Sequence, residues 1–395
     1  MDNDLFKKCR EFDLAKQAQA AGLYHYFKVI RNAENGTAII DGKRKIMAGS
    51  NNYLGLTLHP KVKAAAKKTI DTYGTGCSGS RFLNGTIDLH IDLEKRLANF
   101  MQKEDALLFS TGFQTNLGTI SCLVGKDDII FSDSENHASI IEGTRLSGGR
   151  TVVYHHNDMA DLERLLQEHH HASGKFIISD GVFSMTGDVA KFDEIVKLAK
   201  KYGARTMLDD AHGIGVMGKQ GRGTADHFGV AADVDIIMGT FSKSFASLGG
   251  FIVASEEVIH YIKHHARSFI FSASMPPASI ATVIAVLDIL ENETGHVERL
   301  WENTKKMKKG FDELGYNTEP SSTPIIPVNV GDDLRTLYFA KAIYDGGVFT
   351  NPVLPPAVPH GQSLIRTSYM ATHTESELNF ILDAFEKTGK MCELI

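Results

Sequence analysis

Cysteine is scarce. The four in this 395-residue chain, Cys9, Cys77, Cys122 and Cys392, are too scattered to form a redox or metal pair. No disulfide framework is expected, only plain thiols in a reducing, cytoplasmic compartment. Basic excess is also lacking. The formal net charge is −6, which argues against a nucleic-acid partner, since such binders show a basic face. No apolar run is long enough to span a bilayer. The best candidate, Ile280–Leu290, is short and contains Asp288, so it reads as a buried helix. The amino terminus carries Asp2, Asp4, Lys7, Lys8, Arg10, Glu11 and Asp13 without the apolar core of a secretory signal. Repeats are absent as well. The tract His169-His170-His171 suggests a metal, but it ends the helical stretch Asp158–Glu168, and a solvated helix end is the better reading.

What is present is length for two domains and a regular alternation of elements. Short β-rich runs occur at Ala106–Ser110, Asp128–Asp133, Thr151–His155, Lys175–Asp180, Arg205–Asp210, Asp235–Thr240 and Gly250–Ala254. Between them lie helical patterns such as Phe192–Lys201. Strands alternating with helices predict an α/β layer structure with a mostly parallel sheet of seven strands. Runs such as Phe176-Ile177-Ile178 are apolar on both faces, as a sheet covered by helices requires. The first 45 residues read as an arm, a helix and then a short strand pair around Asp41-Gly42. A large domain is expected over 46–290. Over 291–395 the pattern becomes a smaller α+β domain: helix His296–Leu314, β-rich Ile325–Val330, helix Leu334–Asp345, strand Ser363–Met370 and helix Glu375–Thr388.

Two runs fit G-x-G-x-x-G: Gly74, Gly76 and Gly79, and Gly213, Gly215 and Gly218. A dinucleotide fingerprint needs a strand before it and a helix straight after. The first run follows a helical segment, Val62–Thr72. The second is followed by Lys219-Gln220-Gly221-Arg222-Gly223, which cannot open a helix. A nicotinamide-dependent dehydrogenase is therefore a distant alternative.

Stronger chemistry lies at the strand ends. Lys243 sits just past a buried strand in Thr240-Phe241-Ser242-Lys243-Ser244, followed by Leu248-Gly249-Gly250. Partial desolvation there would free its amine as a nucleophile suited to Schiff-base formation with an aldehyde cofactor. The nearby hydroxyls and backbone N–H groups suit a phosphate. The run Leu208-Asp209-Asp210-Ala211-His212 ends another buried strand, where open α/β sheets place ligands. One carboxylate there can hold a pyridinium nitrogen protonated, and alternation lets only one of the pair face it. Ser110 to Asn116 runs from a strand end into a helix start that can bind phosphate. His137 at another strand end can stack on a planar group. Arg366, on the otherwise apolar Leu364-Ile365-Arg366-Thr367, offers a bidentate grip on a carboxylate. Taken alone it would read as an edge-strand arginine.

These residues resemble the α-oxoamine synthases, a group within the fold-type-I pyridoxal-phosphate transferases. The resemblance runs from about Leu23 onward. It rests on Ser50-Asn51-Asn52-Tyr53-Leu54-Gly55, Gly74-Thr75-Gly76 with Gly79-Ser80-Arg81, Gly85-Thr86, Ser110-Thr111-Gly112-Phe113, Asp133 with His137-Ala138-Ser139, Asp209 with His212, Thr240 with Ser242-Lys243, and Ser272 with Met275-Pro276-Pro277. It implies a cofactor, pyridoxal 5'-phosphate, and a decarboxylating condensation of a small amino acid with an acyl-CoA. Gly74 to Thr86, Gly181 to Met185 and Met370 to Thr374 are most similar to bacterial members that use L-serine and a long-chain acyl-CoA. That preference rests on resemblance alone. Members that use glycine and acetyl-CoA, or that make 8-amino-7-oxononanoate, are the alternatives. The resemblance makes Lys243 the Schiff-base lysine and pairs Asp209 with the pyridine nitrogen and His212 with the ring hydroxyl. His137 would stack over the ring. Gly112, Phe113, Thr240 and Ser242 would contact the phosphate, with Ser184 among the cofactor contacts. Ser272 and Ala273 would reach that phosphate from a second copy, implying a homodimer with shared active sites. Asn52, Ser80 and Arg366 would hold substrate. Greasy substrates make peripheral contact with the inner membrane an option for Leu5, Phe6 and Phe12 beside Lys7, Lys8 and Arg10. A dimer-contact helix is preferred.

Overall fold

The computed structural model describes residues 4–293 and 295–395, so Asp2 and the rest of 1–3 of the expected arm lie outside it. Its centre is a sheet of seven strands: β1 (Asp105–Phe109), β2 (Asp128–Asp133), β3 (Arg150–Tyr154), β4 (Gly174–Asp180), β5 (Arg205–Asp209), β6 (Ile236–Thr240) and β7 (Gly250–Ala254). They lie in the order β1-β7-β6-β5-β4-β2-β3. Neighbours from β6 to β3 pair in parallel, whereas β7 is antiparallel to both β6 and β1. Parallel neighbours need a long crossover. Residues 241–249 are too few for one, so β7 turns back. The mostly parallel α/β sheet expected from the alternation is the sheet observed.

Successive side chains of a strand point to opposite faces, and both faces are covered. Leu108, Phe131, Ile177, Leu208 and Ile237 pack into one cluster of buried side chains. Their chain neighbours Leu107, Ile130, Ile178, Met207 and Ile236 pack into another. Burying each such side chain contributes roughly 1.5–3 kcal/mol. The helix Phe192–Tyr202 shows how one cover is built. Phe192, Ile195, Val196 and Ala199 form its buried stripe, at the spacing of a single helix face. Asp193 and Glu194 occupy its first turn and Lys200 and Lys201 its last, matching the helix dipole. Gly203 stops it at φ 62°, a left-handed conformation that glycine adopts without strain.

Toward the carboxyl terminus, Ile325–Gly331, Ser363–Ser368 and Asn351–Val353 form an antiparallel sheet with Ser363–Ser368 in the middle. Arg366 is thus on a central strand, not an edge strand. The helices Gly295–Glu313, Asp333–Asp345 and Glu375–Met391 belong to the same region. They bury Met307, Phe311, Phe339 and Phe385 with Ile326 and Ile365. The strand pair expected around Asp41-Gly42 is the hairpin Thr37–Ile40 with Lys43–Met47. A third strand, Ile30–Glu34, extends it, and Val348–Phe349 pairs with Lys43–Met47 in parallel. Among the described residues no helix is long and apolar enough to cross a membrane.

Candidate active site

The parallel strands end along one edge of the sheet, and the polar residues singled out in the sequence collect there. Strand alternation separates the two aspartates after Leu208. Asp209 accepts hydrogen bonds from Asn116 Nδ2 at 2.6 Å and from the Ala211 backbone N–H at 3.0 Å. Asp210 turns the other way and accepts from the Thr224 backbone N–H and hydroxyl, both at 2.6 Å. Burial raises Asp210 to about 7, against the opposing Thr224 hydrogen bonds. A Cβ on Gly213 or Gly223 would fall 1.9 Å from an Asp210 oxygen. Gly213, the first glycine of the second G-x-G run, is therefore needed for packing on Asp210. Only a short turn at Lys219–Gly221 follows that run, so no dinucleotide fingerprint exists there.

Lys243 lies just past β6. Burial lowers its amine to about 8; Arg366 acts in the same direction, while Asp209 and Asp180 oppose it. His212 is buried, and desolvation together with Lys243 and Arg366 keeps its pKa well below the ordinary imidazole value. Its ring is neutral at pH 7. The Tyr53 hydroxyl is 2.7 Å from His212 Nδ1 and 3.4 Å from Asn51 Oδ1, and it accepts from Arg366 Nη2 at 3.4 Å. Arginine has no acceptor; with Tyr53 donating to the nearer of its two possible acceptors, Nδ1, the ring proton of His212 would sit on Nε2. Arg366 is buried and fixed by the Ser184 carbonyl at 2.5 Å and Asn51 Oδ1 at 2.9 Å.

His137 is exposed to the cleft, and its ring lies edge to face with Phe113 at 6.4 Å. Its Nδ1 accepts from the Ser139 backbone N–H at 3.2 Å and so caps the helix Ala138–Leu146. Its own backbone N–H donates to Asp180 at 2.7 Å. Asp180 is buried, and desolvation with the nearby Asp209 raises its pKa well above the usual carboxylate range.

A second feature of the edge suits an anion. The helix Gly112–Leu123 begins there, capped by the Thr111 hydroxyl, which accepts from the Gln114 N–H at 3.1 Å. The Thr240 and Ser242 hydroxyls lie 3.0 Å apart beside it. A Cβ at Gly112 would stand 2.8 Å from Thr240 Oγ1, and one at Gly250 only 2.5 Å from Thr115 Oγ1. Glycine at both positions lets strands β6 and β7 close on the helix start. Ser272 accepts from Gln114 Nε2 at 3.1 Å, and Ser110 donates to the Ala273 carbonyl. Ser80 bridges to Ala273. The Ser80 hydroxyl and Asn52 Oδ1 are buried without a partner among the described residues.

The structure thus gathers Lys243, Asp209, His212, His137 and Arg366 at one edge, with Thr240, Ser242 and the start of the 112–123 helix beside them. Ser184 joins through its backbone carbonyl. Asn52 donates to Thr57 at 2.9 Å, and its neighbour Asn51 holds Arg366 instead. Sequence reasoning gave no role to Asn116, Tyr53, Asn51 or Asp180. For Asp180 a signal was available, an acid at the carboxyl end of a parallel strand.

Residues 43–385 match the family model described as aminotransferase class I and II. The chain is similar to the serine palmitoyltransferase of Bacteriovorax stolpii, with 52% identity over 98% of this chain and 93% of that one. It is likewise similar to the serine palmitoyltransferase of Sphingobacterium spiritivorum, with 47% identity over 99% and 98%. Among solved structures it is similar to a serine palmitoyltransferase variant from S. paucimobilis with a bound pyridoxal phosphate–myriocin aldimine, with a TM-score of 0.96, 34% identity, and 99% of this chain and 100% of that one covered.

Proposed function

The chain belongs to the aminotransferase class I and II family, within its α-oxoamine synthase group, and we propose that it condenses L-serine with palmitoyl-CoA or a similar long-chain acyl-CoA. The products are 3-ketodihydrosphingosine, CoA and carbon dioxide, the first step of sphingolipid synthesis. The relatives named serine palmitoyltransferase carry the choice of substrates. The observation that carries the chemistry is a lysine amine lowered to about 8 at the strand edge that also holds Asp209.

The donor set fits pyridoxal 5'-phosphate. Glycine at 112 and 250 lets the Thr240 and Ser242 hydroxyls come up against a helix start, the arrangement that receives a phosphate. Asp209, held by two N–H donors, is fixed in place to keep a proton on a pyridine nitrogen. His212 offers Nε2–H to a ring hydroxyl, and the exposed face of His137 gives a planar ring a surface to stack on. Bound there, the cofactor supplies an electron sink for the substrate α-carbon.

The chain's own residues then divide the work. Arg366 and Asn52 hold the serine carboxylate, and the unpartnered Ser80 hydroxyl faces substrate. Lys243 Nζ, neutral in a useful fraction near pH 7, takes the α-proton and later returns one. Catalysis is assigned to Lys243, Asp209, His212 and His137. A homodimer completes the site through Ser272 and Ala273. Phe82, Leu83 and Phe271, 57%, 76% and 75% exposed in the single chain, border that segment and suit burial against a second copy. Leu5, Phe6 and Phe12 are assigned to the same contact rather than to a membrane surface, and the enzyme to the cytoplasm. Replacing Lys243 by Ala should abolish both 3-ketodihydrosphingosine formation, read by mass spectrometry, and the absorbance of the lysine-linked cofactor. Full activity in that variant would sink the assignment.

A further inference from the structure

Away from the strand edge, three helix ends bring two imidazoles and a carboxylate together. His59 immediately precedes the helix Pro60–Tyr73, Glu293 follows the helix Pro277–Asn292, and His296 lies in the first turn of Gly295–Glu313. One ligand atom from each lies within 4.8 Å of the other two. His296 Nε2 is 4.0 Å from Glu293 Oε2, and the two imidazole rings are 5.9 Å apart at 78°.

An orphaned ring nitrogen points to a ligand. His59 Nδ1 is buried without a hydrogen-bond partner among the described residues, a state that disfavours the site as it stands. Glu293 Oε1 is paired with Lys61 Nζ at 2.5 Å, while Oε2 lies toward His296. All three side chains are partly exposed, so an ion can enter from solvent.

We propose that His59, Glu293 and His296 form a binding site for a divalent ion of the zinc class. Two imidazoles and one carboxylate select zinc, cobalt or nickel over calcium or magnesium, which prefer oxygen. Three protein ligands leave a position for water. The ion would tie the start of the 60–73 helix to the junction between the other two helices. It takes no part in the condensation.

The test uses metal-stripped full-length holoenzyme, equilibrium dialysis against Zn2+ and thermal unfolding. One ion should bind per chain and raise Tm. His59→Ala with His296→Ala should weaken binding by roughly 100-fold, as should Glu293→Gln if the double variant fails to fold, with turnover unchanged. Lys61→Ala should tighten binding, because it frees Oε1 and removes a competing charge. Replacing His169, His170 and His171 by Ala should change nothing. The proposal is overturned by Zn2+ binding that survives in the double variant or in Glu293→Gln, by binding lost with the 169–171 tract, by weaker binding in Lys61→Ala, or by no saturable binding.

Discussion

Lys243 should set the rate at which the apo protein takes up pyridoxal phosphate. Burial lowers its amine to about 8 from an ordinary 10.5. At pH 7 roughly one amine in ten is then neutral, against roughly one in 3000 for an unperturbed lysine, a ~300-fold advantage in reactive nucleophile. The assay is to strip the cofactor, mix with pyridoxal phosphate across a pH series, and follow the visible absorbance. The covalent phase should climb about tenfold per pH unit and level off near pH 8. Lys243→Ala should lose that phase while still binding through the phosphate. Arg366→Gln removes a charge that lowers the amine, so the break should move to higher pH. The same shift affects stability. Between about 8 and 10.5 only the unfolded chain keeps this proton, so the Lys243 contribution rises with pH across that window. A rate that climbs without a break beyond pH 10, or that does not vary with pH, would refute the reasoning.

Asp209→Ala should lower kcat by roughly 100-fold or more, whereas Asp210→Ala should keep the cofactor spectrum and lose about 3 kcal/mol of stability with its two Thr224 hydrogen bonds; denaturant titration and steady-state rates on both variants separate the roles, and identical behaviour would contradict them. Tyr53→Phe removes the 2.7 Å bond to His212 Nδ1 and should cost about tenfold in kcat, together with about 1–3 kcal/mol of stability for the buried ring nitrogen left without a partner; an unchanged kcat would argue against His212 needing a fixed tautomer. Arg81 is buried and bonds both Glu94 oxygens, at 2.8 and 3.0 Å. Arg81→Met strands that carboxylate and should cost about 3–5 kcal/mol in urea unfolding; a loss below about 1 kcal/mol would mean that the Leu108 N–H and water suffice for Glu94.

Much of the large sheet can be read from the sequence because each strand is a short apolar run with a polar residue or glycine at its end. The choice of Asp209 over Asp210 follows from a period of two, and the structure turns the two side chains to opposite sides. Contacts across the chain are harder to read. Tyr53 and His212 are 159 positions apart, and no local pattern joins them. Asn116 looks like one more polar residue in an early helix turn; its bond to Asp209 depends on how the helix Gly112–Leu123 is rotated. Strand Ile30–Glu34 escapes notice because it is exposed along its whole length and shows no alternation. Arg366 looks like an edge residue until Ile325–Gly331 and Asn351–Val353 are seen on either side of its strand.

The substrate assignment is tested by CoA thiol release from the purified holoenzyme, with L-serine, glycine and L-alanine each paired with acetyl-CoA and palmitoyl-CoA. Turnover with serine and palmitoyl-CoA, and little with the other pairs, is the expected result. Preference for glycine with acetyl-CoA would contradict it, leaving the roles of Lys243 and Asp209 in place but moving the chain to another activity of the family.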